Sequence, residues 1–64
     1  MRHTVFRSRM VEEFGRIRAD TLVQDLVLSS LGERTPNQAL EAGWEPKQVW
    51  RVLCDAFEVP AERR

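Results

Sequence analysis

Residues 45–58 read EPKQVWRVLCDAFE, and how this stretch winds decides the fold. At 3.6 residues per turn, Val49, Trp50, Val52, Leu53, Cys54, Ala56 and Phe57 fall on one side. Lys47, Gln48, Arg51, Asp55 and Glu58 form a narrow polar strip on the other. A surface helix usually carries an apolar stripe of about 100°, whereas here the apolar arc covers roughly half the circumference. Such a helix needs neighbours on two flanks, so the pattern predicts one helix over Glu45–Glu58 wrapped by shorter companions. Pro46 suits the first helical position, where its missing N–H would be unpaired anyway. Pro60 pushes Val59 out of helical geometry and ends the helix there.

Upstream, Thr35-Pro36-Asn37-Gln38 combines an N-cap threonine, proline at the first helical position and glutamine where a capping box needs it. It predicts a short helix over Pro36–Ala42, closed by Gly43, with Trp44 packing back on the last turn. Before it, Ala19, Leu22, Val23, Leu26, Val27 and Ser30 share a helical face that Asp20 could cap. Leu28 and Leu31 lie on the other side. Either this helix is buried on both sides, or it ends near Ser29 and Leu31 folds back, with Gly32 as the stop. Arg16–Ala19 reads equally as a link or as that helix's first turn. At the start, Thr4 is the expected N-cap and Phe6, Met10 and Phe14 make one stripe. Gly15 is the expected left-handed stop, Arg9 and Glu13 form an i,i+4 pair, and Val5 and Val11 fall off the stripe. Residues 61–64 are expected to fray. The fold class is therefore all-α: a single domain over 1–64, a small bundle of three or four short helices with a mobile tail at 61–64.

Composition removes several functions. Sixty-four residues hold one modest core. Ten Lys and Arg balance ten Asp and Glu, without the basic surplus of most free-standing nucleic-acid binders. One cysteine cannot form an internal disulfide, and the one histidine, His3, lies far from it, so no zinc-ligand spacing exists. No cofactor is expected. The N-terminal MRHTVFRSRM lacks the apolar run of a signal peptide, and nothing approaches the ~20 apolar residues of a membrane span. A cytoplasmic location is the default for a lone thiol. Ser29-Ser30 has no base or glycine elbow nearby, the carboxylates are scattered, and no phosphate loop is present. The expectation is a protein that is not an enzyme.

One arrangement carries a mechanism. A helix-turn-helix needs a small residue where its helices cross, a glycine four residues on, and aliphatic residues six and nine residues after that. Ala39, Gly43, Val49 and Val52 fit this spacing. If the pair read DNA, Arg51 could address guanine edges, Gln48 adenine edges, and Lys47 phosphate. The competing reading is purely structural, because any two short helices meeting at a glycine turn need the same residues. Local charges also cancel: Arg34, Lys47 and Arg51 face Glu41, Glu45 and Asp55. A neutral reading head would bind weakly unless the first helix helped, and Arg2, Arg7, Arg9, Arg16 and Arg18 give that end a basic surplus. Cys54 reads as a buried small hydrophobe. Val5, Val11, Leu28 and Leu31 are left over as a candidate apolar interaction patch.

The chain also resembles a known family. Thr4-Val5-Phe6, Arg9-Met10, Phe14-Gly15, Asp25, Val27-Leu28, Leu31-Gly32, Arg34-Thr35, Ala39-Leu40, Ala42-Gly43, Pro46-Lys47, Val49-Trp50, Cys54-Asp55-Ala56-Phe57 and Val59-Pro60 are similar to a family of short actinobacterial proteins known as a domain of unknown function. The resemblance spans nearly the whole chain, and the closing VW…CDAF…VP run is its most specific part. It implies a cytosolic, helical, stand-alone small protein whose genes often lie near those for recombinase A and its regulator. It carries no site residues. The leading expectation is a non-enzymatic module that binds another protein, in a setting of DNA repair or recombination. The alternative is a helix-turn-helix DNA binder using Lys47, Gln48 and Arg51, and self-association as a homodimer is the third reading.

Overall fold

A computed structural model describes all residues, 1–64. Four α-helices follow in order: α1 (His3–Phe14), α2 (Arg16–Asp25), α3 (Pro36–Glu41) and α4 (Pro46–Ala56), with 3₁₀ turns at Ser29–Leu31 and Ala61–Arg63. There is no sheet; a lone antiparallel bridge joins Leu28 and Arg34. The fold is all-α, with α4 in the middle. Val49, Trp50, Leu53 and Cys54 give it four of the eleven buried core residues, more than any other element. Around it sit Phe6 and Met10 of α1, Ala19 and Val23 of α2, Leu31, Ala39 of α3, and Val59. Phe6 meets the Trp50 ring edge-on at 6.5 Å, and Phe14 meets Phe57 at 5.1 Å. Arg18 lies over both of the latter rings at 5.7 Å, so its cation closes the seam where α1, α2 and the end of α4 meet.

The capping box at Thr35 forms: the Thr35 hydroxyl accepts from the Gln38 N–H at 3.1 Å, and Gln38 Oε1 accepts from the Thr35 N–H at 3.0 Å. Gly43, at φ 101°, closes the α3 end as expected, with the Trp44 N–H donating to the Ala39 carbonyl at 3.0 Å and Trp44 half-buried against the core. That conformation is open to glycine and costly for other residues.

Elsewhere the boundaries move. Thr4 is not the first N-cap: α1 begins at His3 with Arg2 extended before it, and the Phe6 N–H donates to the Arg2 carbonyl. Gly15, at φ 84° and ψ 155°, is not left-handed helical but lies in a region that only glycine populates freely. One residue thus joins α1 to α2, and Arg16–Ala19 is the first turn of α2. Asp20 sits inside that helix, where it pairs with Arg7 at 3.0 Å instead of capping. The second helix stops at Asp25, earlier than either reading, because Leu26 turns extended. The chain then bends so that Leu31 drops fully into the core, and burying a leucine outweighs two more turns of exposed helix.

The main helix ends at Ala56 by a device invisible in a glycine scan. Glu58 adopts φ 54°, the Glu58 N–H donates to the Asp55 carbonyl, and the Val59 N–H donates to the Cys54 carbonyl at 2.9 Å. This is a Schellman closure with glutamate in the left-handed position and Val59 buried beyond it. A left-handed L-residue costs about 1–2 kcal/mol. Glu58→Gly is therefore expected to stabilise the fold by about 0.5–1 kcal/mol, read as a rise in thermal midpoint. A fall in midpoint would show that the Glu58 side chain makes a contact worth more than its strain.

The tail forms a 3₁₀ turn seated against α1 and α4. Val59 is buried, and Arg63 pairs with Glu13 through two hydrogen bonds of 2.9 and 3.2 Å. The main-chain oxygen of Arg64 accepts from Trp50 Nε1 at 3.1 Å and from Arg9 at 2.8 Å. The Arg9–Glu13 pair is accordingly replaced by two contacts to residues 63 and 64. The radius of gyration is 10.5 Å, against about 10.7 Å for a compact domain of this length, so no segment stands away from the core.

Candidate functional site

Of the residues that suggested a helix-turn-helix, Gly43 sits in a turn at positive φ and the others lie in or against the core. Ala39 and Val49 are fully buried at the crossing of α3 and α4, and Val52 packs partly against the core. The polar strip of α4 therefore faces outward. Lys47 and Arg51 are exposed, and with Asp55 they form one i,i+4 column. Gln48 is exposed too, but its Oε1 accepts from the Glu45 N–H at 3.0 Å. A bidentate adenine contact needs that oxygen as well as the amide N–H, so Gln48 caps its own helix and falls out of the reading set.

Sequence reasoning missed what the column stands beside. A groove of about 350 Å³ brings together Arg9 of α1, Lys47 and Arg51 of α4, Arg64 and Met1, with Trp50 and Cys54 among its lining residues. Four cations from three separate segments line it against one carboxylate, Asp55. Of the five arginines in the first twenty residues, Arg9 alone reaches this groove, while Arg7 pairs with Asp20 and Arg18 lies over Phe14 and Phe57. The next cleft along is different: Arg9, Arg63 and Arg64 share it with Glu12, Glu13 and Glu62, without a hydrophobic residue. Opposite charges there face and largely cancel each other.

The apolar patch does not assemble. Leu31 is fully buried, and Leu28 is half-buried against the core beside Ser30 and Val52. Val5 and Val11 are 41% and 40% exposed on α1, but they are six residues apart and so about 120° apart around the helix. Ile17 at 83% and Val27 at 53% exposure are the most open aliphatic residues, and neither joins them in a groove. The physical reason is the early end of α2, which turns Leu28 and Leu31 inward and Val27 outward.

Cys54 is fully buried and unpaired. Burial pushes its thiol up, with Arg64 pulling the other way; a thiol without an exposed face is no cross-linking point. His3 is exposed at the first turn of α1. No group of three or more His, Cys, Asp and Glu side chains converges as a metal site, and no buried side-chain polar atom lacks a hydrogen-bond partner. No helix is long and apolar enough to cross a membrane.

Searches of curated proteins and of solved structures find no match to this chain. A family model described as a protein of unknown function, DUF3046, matches residues 1–62. The match takes in all four helices and stops at Glu62, short of Arg63 and Arg64, and the chain belongs to the DUF3046 family of proteins of unknown function.

Proposed function

We propose that this chain is a non-enzymatic binding module whose partner is the phosphate backbone of duplex nucleic acid, met by the outer face of α4. The supporting observation is the convergence of Arg9, Lys47 and Arg51 on one groove along the polar outer face of α4, with Asp55, its one acidic side chain, already paired to Arg64. Phosphate neutralisation by Lys and Arg supplies most non-specific affinity. A chain neutral overall reaches it by segregating charge: four of its ten Lys and Arg share this groove with a single acidic side chain, Asp55. Arg51 is the one residue of the column with the reach and geometry for a guanine edge. With Gln48 committed to its cap, sequence preference is expected to be slight. Such a partner is in keeping with the repair or recombination setting that the family resemblance implies. The protein-partner reading keeps its support from small size and balanced charge but loses part of its apolar patch, because Leu31 is buried and Leu28 half-buried while Val5 and Val11 stay exposed.

Fluorescence anisotropy of a short labelled duplex tests this. Binding at micromolar protein in low salt is expected, with log K falling against log salt at a slope of about −2 to −3, as two or three phosphate contacts require. No anisotropy change at tens of micromolar protein would remove the reading.

A further inference from the structure

We propose that the C-terminal turn makes the α4 face an anion-binding surface: by docking, Arg64 takes Asp55 away from Arg51 and holds Arg9 beside the column. The inference rests on the nucleic-acid reading above and assigns Arg64 as a positioning residue for that site.

Lys47, Arg51 and Asp55 follow each other at four-residue steps on α4. Left alone, Asp55 is the natural i,i+4 partner of Arg51 and would compete with any phosphate for it. Instead its Oδ1 takes Arg64 at 2.6 Å, and Arg51 keeps no carboxylate partner. Arg64 is held to this task from several directions. Its Nε donates to the Val59 carbonyl at 2.7 Å, and its Nη2 to the Cys54 carbonyl at 3.4 Å, so the guanidinium also covers the carbonyl end of α4. Its main-chain oxygen accepts from Trp50 and Arg9. Arg63, clamped on Glu13 of α1, fixes the turn from the other side. The turn thus engages the one acidic side chain of the groove and, through the Arg64 main-chain oxygen, fixes the guanidinium of Arg9, which the packing of α1 has placed there. By linkage, a bound polyanion must in turn favour the docked turn.

Full-length Arg64→Ala, Asp55→Asn and the double variant decide it, measured by duplex anisotropy at one salt concentration with a thermal melt of each. Arg64→Ala is expected to weaken binding about five- to tenfold. Asp55→Asn on that background should bring affinity back to within about twofold of the wild-type chain, because no carboxylate is left to occupy Arg51. Undiminished binding by Arg64→Ala overturns the proposal. So does a double variant as weak as Arg64→Ala, which would make Arg64 a direct phosphate contact or a mere fold support. If Arg64→Ala does not fold, Asp55→Asn in the otherwise intact chain carries the test: equal or tighter binding supports the proposal, and weaker binding overturns it. A wild-type chain that ignores duplex sinks the nucleic-acid reading by itself. Inorganic phosphate is then the probe, expected to shift the Arg51 Hε resonance in the wild type and not in Arg64→Ala, and a shift in neither or in both refutes the coupling.

Discussion

Leu53→Ala is expected to lower the thermal midpoint of the chain by about 10 °C or more. Leu53 is fully buried on α4, the helix that contributes most to the core. Truncating a buried leucine to alanine costs about 2–5 kcal/mol in lost transfer energy and residual cavity. A domain of this size has about 3–10 kcal/mol in total, and a single free cysteine offers no covalent reinforcement. Ala56→Ser is the control: it lies on the same helix but is exposed, so it should stay within about 0.5 kcal/mol of the wild-type chain. Far-UV circular dichroism with thermal melts separates the two. A Leu53→Ala protein melting within about 5 °C of wild type, roughly 1 kcal/mol for a domain this small, would mean that α4 is not the organising helix.

Reversing the column, Lys47→Glu with Arg51→Glu, is expected to abolish duplex binding while leaving the fold intact. Both residues are exposed and neither makes a salt bridge, so their replacement removes little stability. Glutamate at position 47 even lies in the first turn of α4, where a negative charge meets the helix dipole favourably. Two phosphate-facing cations become two repelling anions, and the loss should be at least about 100-fold at low salt. Unchanged affinity alongside an unchanged melt would move the binding surface elsewhere on the molecule.

Most signals closed within a few residues were legible, although the Thr4 and Asp20 caps and the Arg9–Glu13 pair gave way to other contacts, and signals closed across the chain were not legible. The Thr35–Gln38 box, the Gly43 closure and the apolar side of α4 are all set by neighbours three to nine residues apart. Each appears as read, except that α4 stops at Ala56 and Ala56, placed on its apolar side, is exposed. The Gly15 junction was half legible, since glycine announced a break but not that one residue suffices. Glu58 gave no warning, because glutamate is not a residue that signals a left-handed turn. The docked tail was hidden for a different reason. Its contacts join Arg63 to Glu13 and Arg64 to Arg9, separations of 50 and 55 residues, and no periodicity reports such pairs. The same distance hid the groove, whose cations come from both ends of the chain, and it made local charge cancellation around α4 look complete when the folded surface is basic there.

A ¹H–¹⁵N titration of the full chain with a short duplex tests most directly whether the joined basic face is the working surface. The account predicts shifts concentrated at Lys47, Arg51, Arg9 and Arg64 and at the Trp50 indole N–H, which reports the docked turn, with Val5, Val11 and Val27 unmoved. Shifts confined to α1 and α2, or none at any residue at saturating duplex, would contradict it.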